Sequence, residues 1–328
     1  MVYLLRRTVF YVLTAIIALS INFFIPRLMP GNPIDSLLAR FSGRVTPRTL
    51  ASLNALFGLQ HHEGLWGQYF AYWRALLHGN LGISFTYFPT AVSHVIGASL
   101  PWTLVLVGLC TVLSFIVGTA VGCIVGWKPG SFLDNLLPLT TFFSSIPYFW
   151  LGLSALFVFS GLLHWLPVSG AYDSSVSIGW TWSFIASALD HAILPAATLV
   201  ISTISFWLLR MRNMMVTTLG EDYILLAEAK GLSRMRIMGM YGARNAILPN
   251  IASFAMALGF VVTGSILLEV VFSYPGIGYV LYQAVSNEDY PLMQGIFLVV
   301  TLVVLLANFL ADFCYILLDP RARDEASQ

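Results

Sequence analysis

Six stretches of apolar residues dominate this chain: residues 8–28, 101–127, 136–163, 191–209, 251–273 and 292–318. Each is roughly 20 residues or more, enough for an α-helix rising 1.5 Å per residue to cross about 30 Å of hydrocarbon. A backbone in lipid must satisfy its own hydrogen bonds, so runs of this length are expected to be helices. Charged residues make up 9% of the chain, against about 25% in a soluble domain, which excludes a water-dispersed globule. The expected fold is an all-α polytopic membrane protein with six transmembrane helices. Ala18, Leu19 and Ser20 imitate a signal cleavage site after Arg6 and Arg7, but the apolar run continues well beyond them, so the first helix is expected to be a retained anchor.

Basic residues orient the spans, because Lys and Arg are kept on the cytoplasmic side of short loops. With the N-terminus inside, the inner segments hold Arg6, Arg7, Lys128, Arg210, Arg212, Lys230, Arg234, Arg236, Arg244, Arg321 and Arg323. The outer charges Arg40, Arg44, Arg48 and Arg74 all fall in one long segment, where the rule has little force. Both termini are therefore expected in the cytoplasm. The organisation that follows is an anchor helix at 1–28, an extracytoplasmic subdomain at 29–100, a transmembrane core of five helices at 101–318 and a cytoplasmic tail at 319–328. Within the core, residues 210–250 form a long cytoplasmic segment. Within the outer subdomain, residues 66–77 have a helical pattern.

Signatures of catalysis are missing. Gly126, Trp127 and Lys128 have neither the glycine-rich loop nor the hydroxyl of a phosphate-cradling motif, so ATP is not bound by that route. His61, His62 and Glu63 lack the second histidine of a helical zinc site, because position 66 is Trp66. The irregular spacing of His61, His62, His78 and His94 suits ordinary surface roles better than metal ligation, and no metal is expected. A net charge of +1 excludes nucleic-acid binding that rests on bulk charge. Cys110, Cys123 and Cys314 lie inside apolar runs and are read as small hydrophobes.

The inner segment is the most informative part. Tyr223, Leu226 and Ala227 share one face of a helix spanning 221–230; Gly231 interrupts it. Ser233 can cap a second short helix carrying Ile237, Met238 and Tyr241, and Pro249 introduces the next span. Such a helix–elbow–helix could lie on the membrane surface with its arginines near anionic lipid, or it could dock in a groove of a cytoplasmic partner.

Ala227, Ala229, Lys230, Gly231 and Leu232, followed by Arg244, Asn245, Ala246 and Pro249, resemble the coupling motif of ABC importer permeases, and more closely that of their peptide/nickel branch. Further matching pieces run the length of the chain. They include Pro30, Gly31 and Pro33; Gly79, Gly82 and Ser84; Ile146, Pro147, Phe149 and Trp150; His164 and Pro167; Glu269, Phe272, Pro275, Gly276 and Gly278; and Asp319, Pro320 and Arg321. The generic Glu-Ala-Ala triplet is absent: Leu225 and Leu226 precede Ala227. The resemblance implies a permease subunit in a prokaryotic cytoplasmic membrane, importing di- or oligopeptides, or nickel, glutathione or an oligosaccharide, by the same architecture. It implies as partners a second homologous permease, two cytoplasmic ABC ATPase subunits or domains and an extracytoplasmic solute-binding protein. ATP and Mg would belong to those ATPases, with no cofactor on this chain. Tyr223, Ala227, Ala229, Lys230, Gly231, Leu232, Ser233, Asn245 and Pro249 would make the ATPase-coupling surface.

Other polar features in the spans have two readings each. Glu269 and Asp312 are acids in apolar runs; they could relay protons in a secondary transporter, or lie near the outer and inner ends respectively, each satisfied by backbone amides or an arginine. Pro147, after Ser144 and Ser145, breaks the third span, exposing carbonyls to a pathway or simply kinking the helix. Gly259 and Gly264 in the fifth span suit close packing. Trp165, Tyr172, Trp180 and Trp182 fit an interfacial aromatic belt or a docking surface for a binding protein. An intramembrane hydrolase finds no Ser–His pairing on facing spans.

Overall fold

The computed structural model describes residues 2–28, 64–263 and 265–318, with side chains described over 6–28, 64–263 and 265–309. The chain is helical in these parts, with a lone bridge between Ile83 and Ala91 and no strand among the described residues. The helices are α1 (Val2–Leu28), α2 (Leu65–Leu77), α3 (Val92–Trp127), α4 (Phe132–Asn135), α5 (Leu137–Ser145) and α6 (Tyr148–Ala155), which runs on as a π-helix over Leu156–Leu162. After them come α7 (Trp182–Leu219), α8 (Asp222–Ala229), α9 (Arg234–Ala246), α10 (Leu248–Phe260), α11 (Ile266–Val271), α12 (Ile277–Ser286) and α13 (Tyr290–Leu318). Residues 29–63 and 319–328, Gly264, and the side chains of Asp312 and Cys314 lie outside the described residues, so the readings placed on them, His61 and His62 included, have no structural counterpart here.

Four helices are long and apolar enough to cross a membrane: α1, α3, α7 and α13. Two bent pairs bring the number up to 6 if each pair is one span. The expected third span is such a pair, turning by 88° between Phe132–Ser145 and Tyr148–Leu162. The turn falls where Pro147 forces Ile146 into an extended conformation, with ψ 130°. The second pair joins Arg234–Ala246 to Leu248–Thr263 at 48°, so it starts within the inner segment and does not coincide with the expected fifth span, 251–273. The α10 helix tightens into a 3₁₀ turn at Val261–Thr263, and only the short α11 follows before Phe272. The expected fourth span, 191–209, is part of a 38-residue helix. The inner segment assigned to 210–250 therefore begins inside α7, with Arg210 and Arg212 on that helix.

The core is built on the seam between α3 and α7. Gly118, Gly122 and Gly126 repeat every four residues and so line one face of α3. A Cβ on Gly118 would sit 2.8 Å from the Ile204 carbonyl oxygen, and one on Gly126 would sit 2.7 Å from Met215 Cβ. At Gly122 it would collide with the Leu208 carbonyl. The backbones thus approach as closely as small residues allow, the usual means of helix association where lipid removes the hydrophobic drive. Phe115, Trp207 and Phe254 extend the contact to α10; Phe115 and Phe254 stack with ring centres 4.1 Å apart. Gly259 packs the other side of α10, its missing Cβ leaving room for Ala307 of α13.

At the end of the molecule holding the 163–181 connection, Val92, Ile96, Ile277, Leu292, Met293 and Ile296 form a second cluster. Buried Asp289 ties the loop before α3 to the start of α13: its carboxylate accepts from Ser84 Oγ (2.5 Å), the Thr86 amide (2.8 Å) and the Leu292 amide (3.1 Å). The α1 helix is held by Asn22 Nδ2 donating to the Gln294 carbonyl (2.9 Å) and by the Tyr11–Phe309 edge contact. Phe10, Leu13 and Ile17 of α1 stay exposed, as expected of a face turned to lipid. The opposing atoms at Gly122 are the Leu208 carbonyl and Met211 Cβ, neither of which can swing away. Gly122→Leu is therefore expected to destabilise the chain by about 3 kcal/mol or more, the upper end of overpacking costs, seen as a lowered thermal midpoint of the purified protein in detergent.

Candidate functional site

The segment from α8 through α9 is a compact hairpin. The α8 helix ends in a Schellman arrangement: the Gly231 amide donates to the Glu228 carbonyl (2.8 Å) and the Leu232 amide to the Ala227 carbonyl (3.3 Å). Gly231 has φ +72°, the left-handed region, and no atom lies within 4 Å of where its Cβ would be. The constraint at this position is thus the backbone, not space. Leu232 then packs back on Ile224, Ala227 and Ile237, closing the elbow.

The face of α8 that packs differs from the one periodicity suggested. Ile224 and Ala227 are buried, against Ile237, Trp127 and Leu219, while Leu225 (61% exposed), Leu226 (55%) and Tyr223 remain open. Residues 223–227 are all apolar, so spacing alone could not choose the buried side. Ser233 stands at the expected N-cap position, but its hydroxyl forms no capping bond; its carbonyl instead accepts from the amides of Arg236 (2.9 Å) and Ile237 (3.0 Å). The second helix is largely a π-helix over Ile237–Ala243. Asn245 Nδ2 donates to the Tyr223 hydroxyl (3.1 Å) and to the Tyr241 carbonyl (3.0 Å), joining the two arms. Ala229, Lys230, Gly231, Ser233 and Asn245 are exposed, and Pro249 is half-buried.

Sequence reasoning missed how this hairpin is fastened to the core. Met215, fully buried on α7, lies beneath Gly126 of α3 and beneath Gly242 of α9, where a Cβ would sit 2.6 Å from its Cε. The glycine spacing 118–122–126 was the available signal. Arg212 on α7 also grips Asp134 of α4 in a bidentate pair, with Nε–Oδ1 3.1 Å and Nη2–Oδ2 3.2 Å. Next to Pro249 in α10, Asn250 is fully buried and neither amide atom has a partner among the described residues.

The remaining polar candidates do not gather around this hairpin. Ser144 Oγ donates to the Ile201 carbonyl (3.2 Å) and Ser145 Oγ to the Thr141 carbonyl (2.8 Å), so both hydroxyls are used within and between helices at the Pro147 bend. Glu269 is fully buried and accepts from Thr103 Oγ1 (2.8 Å) and from the Tyr279 amide (3.0 Å). Thr103 in turn accepts from the Ile277 amide (2.8 Å). The carboxylate thereby pins the turn 272–279 to α3. Tyr172 departs from the aromatic-belt reading: it stacks on Trp102 at 5.7 Å inside a packed cluster, whereas Trp165, Trp180 and Trp182 are exposed. No group of three metal-ligating side chains occurs among the described residues. Removing the Glu269 acceptor strands two buried donors, which costs about 1–3 kcal/mol; Glu269→Leu should lower the thermal midpoint more than Glu269→Gln, which keeps one acceptor oxygen.

Comparison with known proteins agrees with this architecture. The family described as binding-protein-dependent transport system inner membrane component matches residues 118–324, from the glycine seam through the hairpin to the tail. The chain is 35% identical to the di/tripeptide transport system permease protein of Pseudomonas aeruginosa over 93% of this chain and 94% of that protein. It is 34% identical to the dipeptide transport system permease protein of Escherichia coli K12, with 98% of each chain covered. With the oligopeptide transport system permease protein of Bacillus subtilis it shares 28% identity over 97% of this chain and 98% of the relative. On the family match and on identity spanning nearly the whole chain, this protein is a multi-pass membrane protein belonging to the binding-protein-dependent transport system inner membrane component family.

Proposed function

We propose that this chain is the permease subunit of an ATP-driven importer for di- or oligopeptides, forming half of the translocation pathway. Six spans, the third bent at Pro147 and the fifth beginning with α10, would leave both termini in the cytoplasm of a prokaryote and the protein in its cytoplasmic membrane. A second, homologous permease would supply the other half. Two ABC ATPase subunits or domains would hold ATP and Mg and dock on the hairpin, and an extracytoplasmic solute-binding protein would deliver cargo. The peptide cargo is drawn from the named relatives.

The observation that carries this reading is the exposed apolar face of the hairpin, made by Tyr223, Leu225, Leu226, Met235 and Met240, standing among Lys230, Arg234 and Arg236. A helix presenting such anchors fits the helix-in-groove mode of recognition. Its mounting on Met215 and α7 gives a packed path from the ATPase contact to the spans. Movement of the ATPases would then be passed as a rigid displacement of α7 against neighbouring helices, alternating access to a central cavity. Ala227, Leu232 and Pro249 would act by shaping and anchoring the hairpin, and Ala229, Lys230, Gly231, Ser233 and Asn245 by facing the partner. The rival reading, a proton-coupled carrier built on Glu269, has less support, because both carboxylate oxygens already hold an internal turn in place.

The elbow supplies the test. A β-branched residue is strongly disfavoured in the left-handed region, whereas asparagine tolerates it. In the assembled transporter in vesicles, Gly231→Val is expected to abolish peptide uptake while ATP hydrolysis persists, and Gly231→Asn to keep much of the uptake. Uptake that survives Gly231→Val, or that is stopped by a protonophore and not by vanadate, contradicts the proposal.

A further inference from the structure

The end of the molecule opposite the hairpin carries an open cavity of about 560 Å³ between the 163–181 connection and the first turns of α7. Among the residues lining it are His164, Trp165, Asp173, Ser187, Asp190 and His191, with no Lys or Arg. The surrounding sequence is just as one-sided: between Lys128 and Arg210 there is no Lys or Arg, and Asp173 and Asp190 are the acids at this end, Asp134 being paired with Arg212 near the hairpin. Each imidazole is fixed through Nδ1, His164 to the Ser160 carbonyl (2.9 Å) and His191 to the Ser187 carbonyl (2.7 Å). A carbonyl only accepts, so Nδ1 carries the hydrogen, and the Nε2 of a neutral ring is left as an acceptor. The Ser175 amide donates to Asp173 Oδ1 (2.8 Å), an interaction that favours the ionised carboxylate and holds its pKa below the usual range. Trp165, 69% exposed, adds an aromatic face.

Two carboxylates, imidazole acceptors and an open indole around one cavity make a receptor for a cation with hydrogen-bond donors, a lysine ammonium or an arginine guanidinium. The volume lies in the range of ligand-sized sites, so it can admit the stem of such a side chain as well as its head. Anionic lipid is excluded as the occupant by charge, since Asp173 and Asp190 would repel it. We propose that this cavity is a docking socket for a lysine or arginine side chain of the solute-binding protein. The assignment rests on the importer reading, in which this end faces outward. It gives the exposed Trp165, Trp180 and Trp182 a second role, as the aromatic rim of a protein contact in which aromatic and basic anchors dominate.

The test uses the whole assembly in nanodiscs, with its partner permease, ATPases and binding protein. Asp190→Lys and Asp190→Asn are compared with the unaltered complex for binding-protein affinity across a salt series, for unstimulated ATPase rate and for half-saturating peptide. The expected result is a loss of affinity for the binding protein of about tenfold or more for Asp190→Lys, smaller for Asp190→Asn, as for breaking a charge pair at an interface. The salt dependence should be shallower and the unstimulated ATPase rate unchanged. A suppressor replacing a basic residue of the binding protein by an acidic one should restore affinity to Asp190→Lys. Unchanged binding-protein affinity overturns the socket, and so does a change confined to half-saturating peptide, which would place the peptide ammonium or a lipid amine in the cavity. Failure of the unaltered complex to recruit ATPases or binding protein would instead sink the importer reading itself.

Discussion

Close approach of two backbones, α3 against α7 over Gly118, Gly122 and Gly126, is the constraint on which the rest of this molecule depends. Lipid offers a side chain the same apolar surroundings as a helix partner does, so van der Waals fit and not hydrophobic transfer holds spans together. The seam provides that fit by bringing carbonyls and Cβ atoms of α7 into space that any larger residue would fill. Its register also fixes what lies at either end. Towards the hairpin it seats Met215 between α3 and α9; towards the other end α3 presents Thr103 to Glu269. One helix pair thus orients both the basic hairpin and the turn that leads into α12.

The hairpin illustrates what a sequence exposes and what it conceals. Gly231 was legible, because an isolated glycine between two apolar patterns has a short list of uses, and a left-handed helix end heads that list. The buried face was not. Tyr223, Ile224, Leu225, Leu226 and Ala227 form an unbroken apolar run, and periodicity needs polar positions to tell inside from outside. Packing chose Ile224 and Ala227 because Trp127, Leu219 and Ile237 converge there from three other elements, a juxtaposition that only the fold creates.

Spans show the same division. Apolar length located the four long helices and the bent pair of the third run, with Pro147 marking its break, yet neither the 88° turn nor the 3₁₀ interruption after α10 follows from composition. Glu269 makes the point over a longer distance. Sequence flagged it as a costly acid in an apolar run, but its partners are Thr103, 166 residues away, and the Tyr279 amide. Satisfaction by backbone amides or an arginine was one of two readings; a backbone amide and a hydroxyl take that part here.

The exposed apolar residues of α1 and those of the hairpin have opposite surroundings, and the contrast bears on what each meets. On α1, Phe10, Leu13 and Ile17 follow one another with no charge among them, so hydrocarbon covers them without penalty. On the hairpin, Leu225, Leu226, Met235 and Met240 are interleaved with Glu228, Lys230, Arg234 and Arg236, all exposed. Immersing that face in hydrocarbon would strip water from ions at several kcal/mol each, while leaving it in water would expose large apolar side chains of the kind that mark an interaction site. A protein groove resolves both difficulties, since it can cover the leucines and methionines and leave a wet polar rim for the charges. The leucines that periodicity could not assign to a face are, on this argument, already turned to the environment they require.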